Sequence, residues 1–139
     1  MEFESLTKEI IGVAYAVYNE MGFGFLESVY ESCMVIELTN RGLIAEAQKP
    51  INVRYREHVV GYFVADLVVN DLVIVELKSV RQLIEAHEVQ LVNYLTATGK
   101  PVGLLINFSV DGVTIKRKVR ELSGSNAAQK HPVHPVNPV

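Results

Sequence analysis

Two carboxylates and one amine in a β-rich stretch have the clearest chemical potential in this sequence. Asp66 interrupts one apolar segment, and Glu76 and Lys78 end the next. Because side chains alternate along a strand, Glu76 and Lys78 share one of its faces. Burying such groups beside apolar residues is costly unless they pair, bind a metal or reach solvent. The placement indicates a polar site, and the alternative interpretation is a surface hairpin with a Glu-Lys salt bridge.

The register of these two strands decides whether Asp66 and Glu76 meet. A two-residue turn at Asn70-Asp71 would place Asp66 opposite Val75 and turn Glu76 to the other face. A loop of three or five residues, or a bulge, would instead place Asp66 opposite Glu76 on the same face. We predict the odd loop.

Such a pair of carboxylates would suit a small divalent cation. Together with the backbone carbonyl of Leu77, Asp66 and Glu76 would form a hard oxygen site for Mg²⁺ or Mn²⁺. Lys78 would lie beside it, where its amine could orient or help to deprotonate an attacking water while the ion neutralises charge on a phosphate. The pattern therefore suggests metal-assisted hydrolysis of a phosphate ester.

Helices and strands must position these residues. Apolar residues at three- and four-residue spacing predict a helix over Leu6–Met21, and similar patterns predict helices over about Leu26–Arg41 and Leu83–Thr98. Segments punctuated by turn residues predict an antiparallel meander between the last two helices and a hairpin after them. The predicted strands are Ile44–Ala47, Ile51–Tyr55, Val59–Val69, Leu72–Lys78, Val102–Phe108 and Val113–Lys118.

Length and composition bound the class of protein. The 139 residues suffice for one domain, and 49% hydrophobic with 21% charged residues exclude collagen-like and largely disordered classes. The net charge of −3 does not by itself indicate a nucleic-acid binder. Basic residues nevertheless concentrate in the second half, at Arg81 and over Lys116–Arg120. We expect one domain over residues 1–122 and a disordered tail over residues 123–139.

Cysteine content and hydropathy suggest the compartment. The single cysteine, Cys33, excludes an intrachain disulfide, which fits a reducing environment. The first residues are acidic where a signal peptide needs positive charge, and no apolar run approaches the roughly 20 residues of a membrane span. We therefore expect a cytoplasmic protein that has no membrane partner.

The spacing of the three chemical residues resembles a known signature. Asp66, followed after nine residues by Glu76-Leu77-Lys78, is similar to the Asp…Glu-x-Lys pattern of the PD-(D/E)XK nuclease superfamily. Ala65 stands where that pattern has Pro, which changes the expected local backbone but removes no ligand.

Two further motifs occur in the order expected for that superfamily. Gly24, Glu27 and Tyr30 resemble the Gly-x-x-Glu-x-x-Tyr motif of its small GxxExxY family, and Gln90 and Tyr94 resemble the Gln-x-x-x-Tyr element of exonuclease-like members. The resemblance covers about residues 5–120. Three motifs in order are far more specific than any one of them.

The resemblance implies both a fold and an activity. The implied fold is α/β, a restriction-endonuclease-like core whose central mixed sheet is flanked by helices. The implied activity is hydrolysis of nucleic acid, for which we expect DNA as the substrate and Mg²⁺ or Mn²⁺ as the cofactor. Asp66, Glu76 and the Leu77 carbonyl would be metal ligands, Lys78 the catalytic lysine and Glu27 an auxiliary acid.

Other residues are expected to support the site. Gln90 and Tyr94, at i and i+4, share a helix face with His87 and would bind a phosphate or brace the site, unless they are only the polar flank of a packed helix. Glu27 could instead merely complement a helix N-terminus. The residues expected to support the site or to contact nucleic acid are Tyr30, Arg81, Gln90, Tyr94 and Lys116–Arg120.

A non-catalytic nucleic-acid- or protein-binding module is the alternative, because a fold does not establish an activity. The acidic excess in residues 1–70 favours this alternative or a partner that supplies affinity for DNA. An RNA-processing enzyme is a third hypothesis. In each case the small domain predicts that a homodimer or a partner protein provides specificity.

Overall fold

Three helices and five strands account for the regular structure of residues 3–120, which are the residues that the computed structural model describes. The predicted tail, residues 123–139, lies outside them. The helices are α1 (Phe3–Met21), α2 (Glu27–Asn40) and α3 (Glu85–Thr98). The strands are β1 (Ala45–Tyr55), β2 (His58–Val69), β3 (Val73–Lys78), β4 (Val102–Ser109) and β5 (Gly112–Val119).

The strands form one mixed sheet in the order β1-β2-β3-β4-β5. Neighbouring strands pair antiparallel except β3 and β4, which are parallel. The parallel pair arises because α3 carries the chain back along the sheet before β4 begins. The predicted α/β fold with a mixed sheet is therefore confirmed, and the predicted meander holds for β1 to β3.

One boundary prediction is wrong. Separate strands were expected over Ile44–Ala47 and Ile51–Tyr55, whereas β1 is continuous. Gln48 has a φ of 54° and drops out of the β1–β2 pairing, while its neighbours on both sides remain paired. Pro50 is tolerated because β1 is an edge strand. The turn-forming residues therefore produce an irregularity in one strand and not a break between two.

The helices cover opposite faces of the sheet. The buried stripe of α1 and the buried residues Tyr30, Met34 and Leu38 of α2 form one core cluster with the sheet, and Leu91 and Leu95 of α3 form a second on the other face. At Gly103 an added Cβ would lie 2.7 Å from Cδ1 of Leu91, so glycine permits the close approach of α3. None of the helices within residues 3–120 is long and apolar enough to cross a membrane.

The β1–β2 pair extends beyond β3 as a two-stranded ribbon, because β2 pairs with β3 only over Leu67–Val69. Leu67 and Val69 belong to the cluster under α1 and α2, whereas Ala65 belongs to the cluster under α3, where Phe63 also packs. Strict alternation would put all four on one face. The ribbon therefore changes the face that it presents to the core at Asp66.

A single buried side chain holds the segment that follows β3. Asn107 of β4 is 1% exposed, and its Oδ1 accepts a hydrogen bond from the Val80 backbone N–H at 2.9 Å. Its Nδ2 donates to the Val80 carbonyl, also at 2.9 Å. Because Asn107 is also the register partner of Lys78, it fixes the direction in which the chain leaves β3.

We expect Asn107→Asp to lower the free energy of unfolding by about 2–4 kcal/mol at neutral pH, because a buried carboxylate would face the Val80 carbonyl with no proton to donate. Chemical denaturation measures this loss. The exposed Asn52→Asp provides the matched control. The loss should shrink as the pH falls and the new carboxyl becomes protonated, so a loss that does not depend on pH would contradict this interpretation.

Candidate active site

A three-residue loop, Asn70 to Leu72, sets the register that the site depends on. Val69 pairs with Val73 and Leu67 with Val75. One residue beyond the last pair, this register brings Asp66 opposite Glu76 on the same face. The predicted odd loop is therefore confirmed. Asn70 and Asp71 have φ values of 52° and 58°, in the left-handed region that Asn and Asp tolerate better than most residues.

Two reciprocal hydrogen bonds join Asp66 and Glu76 where the β2–β3 pairing ends. The Asp66 backbone N–H donates to Oε2 of Glu76 at 3.1 Å, and the Leu77 backbone N–H donates to Oδ2 of Asp66 at 2.8 Å. The Leu77 N–H thus bonds to a carboxylate where a continued strand ladder would supply a carbonyl. Oδ1 of Asp66 and Oε1 of Glu76 take no part in these two bonds.

The electrostatics of the pair are unfavourable. Burial and then the charge of Asp66 raise the pKa of Glu76 to about 8 from an ordinary 4.5. The Asp66 N–H and the charge of Lys78 oppose this increase, and Glu27 adds to it. The other predicted catalytic residues, Asp66, Lys78 and Glu27, therefore all lie within electrostatic reach of Glu76.

The turn before α2 positions Glu27. Gly24 has a φ of 106°, a conformation that favours glycine, and α2 begins three residues later at Glu27. The exposed carboxylate of Glu27 acts on the titration of both Glu76 and His87. Its first-turn position also complements the helix dipole, so the two interpretations of Glu27 are compatible.

Tyr30 does not lie at the surface of the site. Its ring is fully buried and stacks on Phe108 with 4.3 Å between centroids, and its hydroxyl donates to the Gly22 carbonyl at 2.6 Å. This burial corrects the expectation that Tyr30 contacts nucleic acid. It supports the site only by holding the turn that leads into Glu27.

The α3 residues differ in their relation to the carboxylates. Tyr94 stacks on Phe63 of the ribbon with 3.4 Å between ring centroids. Burial, followed by the charges of Glu76 and Asp66, raises the pKa of the Tyr94 phenol. The ring packs against the cluster that contains Ala65, the neighbour of Asp66 in β2. Gln90 is exposed one turn earlier on α3.

The predicted basic residues do not form one surface. Arg81 and Lys116 line a cavity of about 750 Å³ on the α3 side of the sheet. Lys118 forms an ion pair with Glu88 of α3 at 2.7 Å, and Arg117 alternates to the opposite face of β5. The expectation of one phosphate-contacting cluster over Lys116–Arg120 is therefore corrected, because alternation divides it and a helix carboxylate neutralises one member.

Two residues near Asp66 were missing from the predicted site. Nε2 of Gln48 donates to Oε1 of Glu31 at 2.7 Å, and burial together with the charge of Asp66 raises the pKa of Glu31. Glu31 follows Glu27 by one helical turn, a spacing that could have identified it. The β1–β2 register places Gln48 opposite Asp66, and the sequence has no signal for its unusual φ.

The donor set suits a hard divalent cation. Within residues 3–120 no three His, Cys, Asp or Glu side chains converge as a metal cluster. The pair Asp66 and Glu76, however, concentrates negative charge with one oxygen of each outside their mutual bonds. The N–H and the carbonyl of one strand residue point to the same side, and the Leu77 N–H points to Asp66. The Leu77 carbonyl therefore points toward β2 as well. Two carboxylates, a carbonyl and water are a chemically reasonable set for Mg²⁺ or Mn²⁺.

A comparison with solved structures supports the fold. The chain is similar to a solved structure described as the crystal structure of SSO0001, with a TM-score of 0.54 and 20% sequence identity. The match covers 91% of this chain but 64% of that one, so it supports the fold alone. A search of curated proteins finds no match.

The family is established by a sequence model. The model of the PD-(D/E)XK nuclease superfamily matches residues 4–122, which is most of the chain. The chain belongs to this superfamily. Nucleases of this superfamily generally use divalent metals.

The raised pKa of Glu76 makes the stability of the metal-free protein depend on pH. The folded state binds this proton more tightly than the unfolded state, so the contribution of Glu76 to stability is fully present below pH 4.5 and is lost as the pH rises through about 8. We expect Glu76→Gln, measured in EDTA, to be more stable than the wild type by a few kcal/mol near pH 8, with the gap closing toward pH 4.

The exposed Glu57→Gln is the control for this experiment, because it removes a carboxylate from the ribbon turn. It should follow the wild-type stability curve at every pH. Equal stability of Glu76→Gln and the wild type across pH 4–8 would contradict the buried, like-charge environment of Glu76.

Proposed function

We propose that this chain is a Mg²⁺- or Mn²⁺-dependent nuclease that hydrolyses phosphodiester bonds of DNA. The observation that supports this most strongly is the reciprocal bonding of Asp66 and Glu76 where β2 and β3 separate, with Lys78 on the same face of β3. Membership of the nuclease superfamily makes phosphodiester hydrolysis the chemistry to test at these residues.

Each residue has a distinct role in this proposal. Asp66, Glu76 and the Leu77 carbonyl would hold the cation, which when bound offsets the charge of the phosphate and of the transition state. The Lys78 amine would hold the attacking water by a hydrogen bond and help to remove its proton. The exposed carboxylate of Glu27 would complete the acidic side of the site.

The sequence motif that begins at Gly24 supports assignment to the GxxExxY branch of the superfamily. Gly24 adopts a left-handed conformation, Glu27 projects its charge toward the site, and the Tyr30 hydroxyl holds the turn. Each named position of the motif therefore has its own physical reason. We propose this assignment on that basis.

Substrate contacts beyond the scissile phosphate are also proposed. Arg81 and Lys116 line one cavity, and Asn107 in its wall is the register partner of Lys78. These two cations would contact backbone phosphates without reading the base sequence. Specificity would then depend on a second copy of the chain or on a partner protein.

Lys78→Ala should reduce cleavage of DNA by about 100-fold or more while leaving Mn²⁺ binding in place, because the lysine acts on water and not as a ligand. Single- and double-stranded DNA are offered with Mg²⁺ or Mn²⁺, and RNA is offered in parallel. Metal binding is followed by the shift in thermal unfolding. Lys8→Ala, on the exposed side of α1, is the control.

The other outcomes distinguish the alternatives. Nucleic-acid binding without cleavage at millimolar Mg²⁺ and Mn²⁺ would support a non-catalytic module. Cleavage confined to RNA would indicate an RNA-processing enzyme. Asp66→Asn should lose the metal-dependent rise in melting temperature. A rise that persists in this variant would contradict the assignment of Asp66 as a metal ligand.

A further inference from the structure

His87 occupies the first turn of α3 at the edge of the site. It is the third residue of the helix and is half-buried. Its Nδ1 accepts a hydrogen bond from the Ile84 backbone N–H at 3.2 Å, and its own backbone N–H donates to the Ile84 carbonyl at 3.0 Å. The side chain therefore caps the helix, which accounts for one of its two ring nitrogens.

The capping bond determines the tautomer of the ring. A nitrogen that accepts a hydrogen bond cannot carry a proton, so the neutral imidazole holds its proton on Nε2. Protonation of Nδ1 would make it a donor facing the donor N–H of Ile84, and the hydrogen bond between them would be lost. The fold therefore holds His87 as a neutral ring with a fixed donor at Nε2.

Helix packing places this ring near the end of β3. His87 lies one turn before Leu91, whose side chain covers Gly103, and Gly103 is the register partner of Ile74, two residues before Glu76. Burial and then the charge of Lys78 lower the pKa of His87, and the charge of Glu27 opposes them. Tyr94, seven residues later on the same helix face and about 10 Å along the axis, stacks on Phe63 of β2, three residues before Asp66. The face of α3 that carries His87 and Tyr94 thus packs over the region of β2 and β3 that holds the carboxylate pair.

We propose that His87 is a further catalytic residue of this site, whose Nε2–H donates a hydrogen bond to a non-bridging oxygen of the scissile phosphate. This inference rests on the proposed nuclease function. The ring stays neutral and transfers no proton, and the leaving oxygen takes its proton from solvent. The bond strengthens as negative charge accumulates on the phosphoryl oxygens, which stabilises the transition state more than the ground state.

A capping role alone makes a different prediction from a donor role. Gln is a common residue at the third helical position because its carbonyl can accept the same backbone N–H. Its amide also carries N–H donors, as Nε2 of His87 does. His87→Gln therefore keeps the cap and a donor, whereas His87→Ala loses both.

The test compares DNA cleavage by His87→Gln, His87→Ala and the wild type at saturating Mg²⁺, well below each melting temperature. We expect His87→Gln to stay within about tenfold of the wild-type kcat and His87→Ala to lose about 100-fold, the usual effect of removing one such donor. His58→Ala, which removes an exposed histidine of the ribbon, is the matched control and should cleave like the wild type.

A sulfur substitution probes the bond itself. Cleavage of each phosphorothioate diastereomer is measured in Mn²⁺. Sulfur at a non-bridging position is a poorer hydrogen-bond acceptor than oxygen, so the substitution weakens a hydrogen bond to that position. One diastereomer should slow the wild type more than it slows His87→Ala. Equal slowing of both proteins by both diastereomers would overturn the proposed contact.

The pH profile and the ring tautomer complete the design. The profile of kcat/KM should have the same shape in the wild type and in His87→Gln, since a limb that vanishes would mean that His87 transfers a proton. Nitrogen NMR of the His87 ring should show the Nε2–H tautomer whether or not the protein cleaves DNA. Cleavage unchanged in His87→Ala would overturn this inference alone, whereas no cleavage by the wild type would overturn the proposed function as well.

Discussion

The structure depends on the exchange of backbone for side-chain hydrogen bonds between β2 and β3. From the loop outward to the pair Leu67 and Val75, the two strands pair through their backbones. One residue farther from the loop, the side chains of Asp66 and Glu76 supply the acceptors instead. Satisfying both N–H groups in this way lets the strands separate without leaving buried donors unpaired. The same exchange brings two like charges together, and this opposes the folding of the metal-free chain. A counter-charge at this point would relieve the conflict, and Lys78 supplies part of it.

Much of this arrangement could be predicted because it follows from periodicity. Apolar stripes at helical spacing, such as the one beginning at Leu6, predicted all three helices. The β-rich segments predicted the strands, except that β1 was divided into two. The requirement that Asp66 and Glu76 share a face was enough to predict an odd loop, since a shift of one residue turns every side chain of a strand over. Glu31 was predictable by the same reasoning, one turn beyond Glu27, but no motif directed attention to it.

The remainder could not be predicted because it depends on contacts between distant elements. The positive φ of Gln48 and the change of face at Asp66 have no local signal, although they place Gln48 beside Glu31. Tyr30 looked like a site residue by its motif, yet the stacking partner that buries it, Phe108, is 78 positions away. Two departures from regular strand geometry, at Gln48 and at Asp66, lie at the candidate site, where sequences commonly sacrifice local consistency for chemistry.

The charge distribution then connects cation and substrate. Glu27 and Asp66 raise the pKa of Glu76, and Asp66 raises that of Glu31, so these four residues form a loose acidic cluster. Without them the formal charge of the chain would be +1 instead of −3. A phosphate that approaches this cluster is repelled until a cation is bound, and a bound phosphate in turn favours retention of that cation. Under the proposed function the two ligands should therefore bind cooperatively, each raising the affinity of the other by the same factor. A net acidic domain can bind an acidic polymer in this way, because the charge that governs binding is that of the loaded site and not that of the whole chain.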